Sequence, residues 1–193
     1  RGFSFQTDSP LDMRFDPKQN LTAAQIVNSY TESELITLLY RLGEEPQAKR
    51  ISRALVQSRP LLTTRHLVSV IEAVVPRRGK RLHPATKVFQ ALRMAVNGEL
   101  ENLSLVLQQA IETLANKGRL VVISYHSLED RIVKRFLQRE SKNCLCPSEI
   151  LICQCTHQAK IRTLTKRVII PSKQEVKENP RSRSARLRIA ERI

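Results

Sequence analysis

The spacing of apolar residues changes once along this chain, and that change limits its fold more than any other feature. From Thr22 to Asn116 apolar residues recur at helical intervals. At Arg119 the interval gives way to the run RLVVISY, in which β-branched aliphatics stand side by side as in a buried strand. Ser127 then opens a further helical pattern, with Glu129 and Asp130 in its first turn, where the helix dipole favours negative charge. The C-terminal third therefore reads as part of an α/β sheet behind a helical module.

Within the helical module the starts are marked. Thr22 with Gln25 and Thr31 with Glu34 have the capping-box spacing that satisfies the free amides of a helix start. The second helix carries Leu35, Leu38, Leu39 and Leu42 on one stripe and stops at Gly43. A third turns Ala48, Ile51, Ala54 and Leu55 inward, and a fourth runs from near Thr64 to Pro76. Residues 1–20 show no sustained period and read as a loop. His83 and Pro84 open a long helix to Asn116, kinked at Asn97-Gly98. After Ser141 comes a cysteine-bearing insert, then a strand over 163–170, a short helix capped by Ser172 with Glu175, and a last strand over 185–193.

Charge narrows the partner. With 33 Lys and Arg against 18 Asp and Glu, the chain carries +15 at pH 7, which points to a polyanion. Aromatic residues make up only 4%, which argues against a single-strand binder that stacks bases. There is no apolar run of ~18 residues and no secretory leader, so the expected location is the cytoplasm, without a membrane span. Gly is only five of 193 residues, and neither a dinucleotide fingerprint nor a P-loop is present.

Four groups of residues could carry chemistry. Ser124, Tyr125, His126 and Ser127 crowd the carboxyl end of the strand, where α/β sheets meet their ligands; equally, Ser127 can be a cap and His126 a loop residue. The loop PRRGKRLH offers Arg77, Arg78 and Lys80 to phosphate, or is a solvated connector. In the last strand Arg186, Arg188 and Arg192 alternate with Leu187, Ile189 and Ile193, and Arg181 and Arg183 extend the basic row. Such a row suits an RNA backbone, or guards a sheet edge against pairing. Cys144, Cys146, Cys153 and Cys155 form two Cys-x-Cys pairs that a turn could join into a tetrahedral zinc site, though the spacing within each pair is tighter than usual; reduced surface thiols are the competing reading.

Six ordered blocks, RGFSF, SPLDMRFD, GEE, HPATKVFQALRMAVNGEL, ISYHSLEDRIVKRF and NPRSRSARLRIAER, resemble the H-type small-subunit ribosomal RNA methyltransferases over almost the whole chain. The resemblance implies S-adenosylmethionine-dependent methylation of N4 of a cytidine in the decoding region of 16S RNA, so 16S ribosomal RNA or the small ribosomal subunit is the expected partner. It also implies a Rossmann-like class I methyltransferase sheet with an inserted all-helical domain. On this template residues 1–20 lead in from the cofactor half, 21–80 are the insert, and 81–193 are the later part of the sheet, with a cysteine-bearing insert at 142–160. The family's cofactor contacts lie upstream of RGFSF, so no cofactor-binding residue is carried over, and the chain alone is expected to be inactive and to expose an open sheet edge.

Methylating an exocyclic amine needs an acceptor for the departing proton. Asp12, Ser124 and His126, with Asp8, are the candidates. Arg14, Arg181, Arg183, Arg186 and Arg188 would position the RNA backbone. A non-catalytic RNA-binding or ribosome-assembly module is the alternative.

Overall fold

The computed structural model describes residues 1–75, 83–147, 149–150 and 152–193. The chain forms two compact units, Arg1–Glu99 and Leu100–Ile193. This division falls later than the boundary near residue 80 that the sequence suggests, because the helix after Pro84 packs with the helices before it.

The first unit is built from α1 (Ala23–Ser29), α2 (Glu32–Gly43), α3 (Ala48–Gln57), α4 (Thr64–Val74) and α5 (Ala85–Asn97). Both expected capping boxes form, Thr22 with Gln25 and Thr31 with Glu34. Leu35, Leu38 and Leu39 of α2 enter one core with Ile51, Leu55, Leu67, Ile71, Val88 and Leu92. Gly43 is required by packing, since a Cβ there would lie 2.9 Å from the Lys87 carbonyl and 3.2 Å from the Ala91 Cβ of α5. Gly98 is left-handed at φ 57, so the expected kink is a full break between α5 and the next helix.

Residues 1–22 form no helix or strand, as expected, but they are not a mere lead-in. Leu11 and Met13 are fully buried in the helical core. The Leu11 amide donates to the Leu62 carbonyl at 3.0 Å, the Thr64 amide to the Ser9 carbonyl at 2.9 Å, and the Ala23 amide to the Asp12 carbonyl at 2.9 Å. Met13 sits in the left-handed region at φ 60, which a side-chain-bearing residue adopts only when its surroundings impose it. Buried Asn97 supplies part of that constraint: its Nδ2 donates to the Met13 carbonyl at 2.8 Å and its Oδ1 accepts from the Phe15 amide at 2.8 Å.

The second unit contains α6 (Glu99–Thr113) apart from its first residue, then β1 (Arg119–Ser124), α7 (Ser127–Glu140), β2 (Ile161–Thr163), α8 (Lys173–Glu178), a 3-10 turn at Pro180–Ser184, and β3 (Arg186–Arg192). The sheet is three-stranded with order β1-β3-β2, both ladders antiparallel. In place of the strand expected over 163–170 the regular strand is Ile161–Thr163, which overlaps it only at Thr163, while Ile169 makes a single bridge to Leu187. One sheet face, with Leu120, Val122, Ile161 and Ala190, packs on Leu107 and Ile111 of α6 and on Val133 and Leu137 of α7. The other face leaves Val121 53% and Ile123 51% exposed, so the aliphatic run of β1 is buried on one side only. Among the described residues β1 has no ladder besides that to β3.

Asn97→Ala removes the partners of a buried carbonyl and of a loop amide, and is expected to lower stability by about 2 kcal/mol. Urea unfolding with an unchanged m-value checks this.

Candidate functional site

At the end of β1 the backbone leaves the sheet at buried Ser124 and turns into α7. The cap of α7 is His126 and not Ser127, which is already helical: the His126 Nδ1 accepts from the Glu129 amide at 3.3 Å. In return, the Glu129 Oε2 accepts from the amides of Tyr125 at 2.8 Å and His126 at 3.3 Å. Histidine was missed as a cap because that role usually falls to Ser, Thr, Asp or Asn. The His126 Nε2 lies 3.3 Å from Glu129 Oε1, yet it is buried without a properly angled hydrogen bond. Burial pushes the Glu129 carboxyl up, but the His126 ring and the Tyr125 and His126 amides outweigh it and hold it below its ordinary range.

One helical turn position further, Asp130 points to the sheet. Its carboxylate is gripped by a fork from Arg188, with Nε to Oδ1 at 2.7 Å and Nη2 to Oδ2 at 3.1 Å, and by Arg186 Nη1 at 3.2 Å. The Asp130 and Arg188 side chains are only 8% and 13% exposed, whereas that of Arg186 is 47% exposed. The Arg188 fork holds the Asp130 carboxyl below its usual value against the opposing effect of burial, with Arg186 adding to it. The alternation read from the sequence is therefore present with its faces reversed in meaning: the arginines lie on the side packed against α7, and Leu187 and Ile189 on the side left partly open. The sequence signal for this pair was the helical stripe Asp130, Val133, Leu137, which puts an aspartate on the buried face of α7. On the opposite face Glu191 accepts from its exposed ladder partner Arg162 at 2.6 Å.

The first unit holds the other proposed carboxylates. Asp12 and Arg14 form a two-point pair at 2.7 and 2.9 Å, and Arg14 also donates to the carbonyls of Pro17 at 2.9 Å and Gln19 at 2.6 Å. That hydrogen bonding from Arg14 pulls the Asp12 carboxyl down to about 2. A carboxylate so stabilised is a weak proton acceptor at neutral pH, and the geometry makes Asp12 a loop anchor. Arg14 likewise has its donors engaged within the loop. Asp8 accepts from the Arg65 amide at 3.3 Å, at the start of α4.

Arg181 and Arg183 lie exposed in the 3-10 turn before β3. Arg77, Arg78 and Lys80 lie outside the described residues. The four cysteines do come together: their sulfurs all lie within 4.8 Å of one another. The Leu145 amide, then that of His157, pull the Cys155 thiol down to about 6, while the Cys144 thiol pushes Cys153 up to about 12.

A strand whose polar end runs straight into a capped helix, on a sheet closed by an antiparallel strand, defines a mixed α/β protein with a polar rim at one sheet end. Comparison narrows the class to one family. The chain belongs to the MraW methylase family, which matches residues 1–193. It is 56% identical over 192 residues to the ribosomal RNA small subunit methyltransferase H of Dehalococcoides mccartyi, covering 100% of this chain and 55% of that protein. It is 53% identical to the protein of the same name from Thermomicrobium roseum, covering 60% of it, and 46% identical to that from Caldicellulosiruptor saccharolyticus, covering 64%. The chain thus spans little more than half the length of these relatives.

Asp130→Asn is expected to cost about 3 kcal/mol, since it leaves the Arg188 guanidinium mostly buried without its carboxylate. Because the folded carboxyl is depressed, the pair's contribution is full above the unfolded value of about 3.9 and is lost as pH falls through the folded one. Urea unfolding across pH should show the gap between wild type and Asp130→Asn closing in acid.

Proposed function

We propose that the whole protein to which these residues belong methylates N4 of a cytidine in the decoding region of 16S ribosomal RNA, with S-adenosylmethionine as methyl donor, and that this chain carries much of its RNA-facing surface. The observation that carries the reading is the family match over all 193 residues, together with relatives named as ribosomal RNA small subunit methyltransferases. The charge of +15 supports a polyanionic substrate. The strand order β1-β3-β2, with an antiparallel strand in the centre and β1 open at its far edge, suits the closing strands of a Rossmann-like class I sheet.

The cofactor, when bound, supplies an electrophilic methyl group on sulfur. The cytosine amine is a poor nucleophile because its lone pair is delocalised into the ring, so positioning must contribute much of the rate. At the end of β1, buried Ser124 anchors the turn that faces the substrate. His126 is less suited to take the proton, because its Nδ1 already accepts from the Glu129 amide at the start of α7. His126 and Glu129 instead hold the turn rigid beneath the substrate. Asp12 keeps its loop in place through Arg14, and no step passes through the four cysteines.

Exposed Arg181 and Arg183, with the half-exposed Arg186, meet RNA phosphates; Arg188 is occupied by Asp130. Fluorescence anisotropy with a small-subunit RNA fragment should give an affinity that falls steeply with salt. Arg181→Ala with Arg183→Ala should reduce the log-log slope by roughly one per arginine. Salt-independent affinity, or an unchanged slope in the double variant, contradicts the assignment. Calorimetry on the chain alone should give no micromolar S-adenosylmethionine binding, and a clear micromolar isotherm would mean that these residues hold the cofactor themselves.

A further inference from the structure

The segment between α7 and β2 lacks what usually orders a loop. No described residue of 142–160 is fully buried, and Ile152 is 80% exposed and Leu145 and Ile150 39% each. Apolar burial therefore does not hold the described residues of this segment. Its ends are fixed, by the Lys160 amide donating to the Glu140 carbonyl at 2.9 Å, the Ala159 amide to Asn143 Oδ1 at 3.2 Å, and the His157 ring lying 3.1 Å from the Arg139 carbonyl oxygen. Between these ends, among the described residues, the side chains that converge are the four cysteines.

The sulfurs are spaced as ligands of a single ion. Cys144 and Cys153 are 3.3 Å apart, Cys153 and Cys155 3.6 Å, and Cys155 and Cys144 3.7 Å, with Cys146 inside the same group. A regular tetrahedron of sulfurs around zinc at about 2.3 Å has edges of about 3.8 Å. A disulfide would bring a pair to about 2.05 Å, well inside every one of these separations. Backbone amides point at three of the sulfurs: Leu145 at Cys155 at 3.3 Å, Cys146 at Cys144 at 3.4 Å, and Gln154 at Cys146 at 3.4 Å. Such amide-to-sulfur bonds orient and stabilise thiolate ligands.

We propose that Cys144, Cys146, Cys153 and Cys155 bind one structural zinc ion as a closed tetrathiolate site, and that this ion orders the 142–160 segment. A sulfur-only, four-coordinate set selects a soft or borderline ion and leaves no open position for a substrate. His157 stays outside the coordination, its ring nitrogen being directed at the Arg139 carbonyl. Binding releases the thiol protons and leaves a site of net charge −2, and Arg139, Lys160 and Arg192, which line one surface hollow with Cys155, offset it. The one-residue spacing within each pair, unusual for zinc, is accommodated because the pairs approach from opposite limbs of the loop.

The test is elemental analysis of the full chain purified without chelator and again after reconstitution with zinc alone, followed by cobalt substitution. About one zinc per chain is expected, with cobalt giving the intense visible absorption of tetrahedral thiolate coordination. Cys146→Ser with Cys153→Ser, one from each pair, should abolish binding and make 142–160 the first site of proteolysis. If that variant fails to fold, mercurial release of zinc from the wild-type chain gives the same readout, with opened protease sites in 142–160 and retained far-UV circular dichroism. Zinc well below stoichiometric after reconstitution, stoichiometric iron in its place, or two disulfides by thiol titration would overturn the proposal. RNA affinity is read separately, so failure here leaves the methyltransferase reading intact.

Discussion

The second unit depends on one buried ionic contact, the grip of Arg188 and Arg186 on Asp130. It ties α7 to the central strand β3, which is paired on both sides, so whatever fixes β3 also fixes β1 and β2. A charge pair this sheltered is costly to bring out of water and is net favourable only with good geometry and saturated hydrogen bonding. The two-point fork from Arg188 supplies both. Once Asp130 is held, the turn carrying Ser124 and His126 has little freedom, since it lies between that helix and the β1 ladder.

A similar economy governs the first unit. Its N-terminal loop is held by polar contacts from residues distant in sequence, Asn97 to Met13 and Phe15, and Thr64 to Ser9. Arg14 and Asp12 close the loop on itself. Conserving hydrogen bonds in an irregular segment costs many specific side chains, which is why a stretch with no periodicity can still be part of a core.

What could be read from the residues follows from range. The capping boxes at Thr22 and Thr31, the leucine stripe of α2, the strand at 119–124 and the final strand depend on neighbours a few positions apart, and all are present. The roles of Arg14, Arg186 and Arg188 depend on partners that spacing alone does not name; an arginine looks the same in sequence whether it faces a phosphate or a buried aspartate. His126 was legible as a residue of interest and not as a cap. The loop before α1 was legible as irregular but not as buried, because Leu11 and Met13 are too few to set a period. The cysteines were legible as a set, while their convergence required the fold of the loop between them.

Positive charge in this chain thus has two uses. Part of it is taken up by the chain's own carboxylates, Asp12, Asp130 and Glu191, and part is left unpaired with them, as at Arg181 and Arg183. The claim that Arg188 is structural is tested most directly by a double-mutant cycle on Asp130→Asn and Arg188→Gln, read by urea unfolding and by RNA affinity. A coupling energy of about 2 kcal/mol, with RNA affinity of folded Arg188→Gln equal to wild type, is the predicted result. Coupling near zero, together with a loss of RNA affinity in Arg188→Gln, would contradict it.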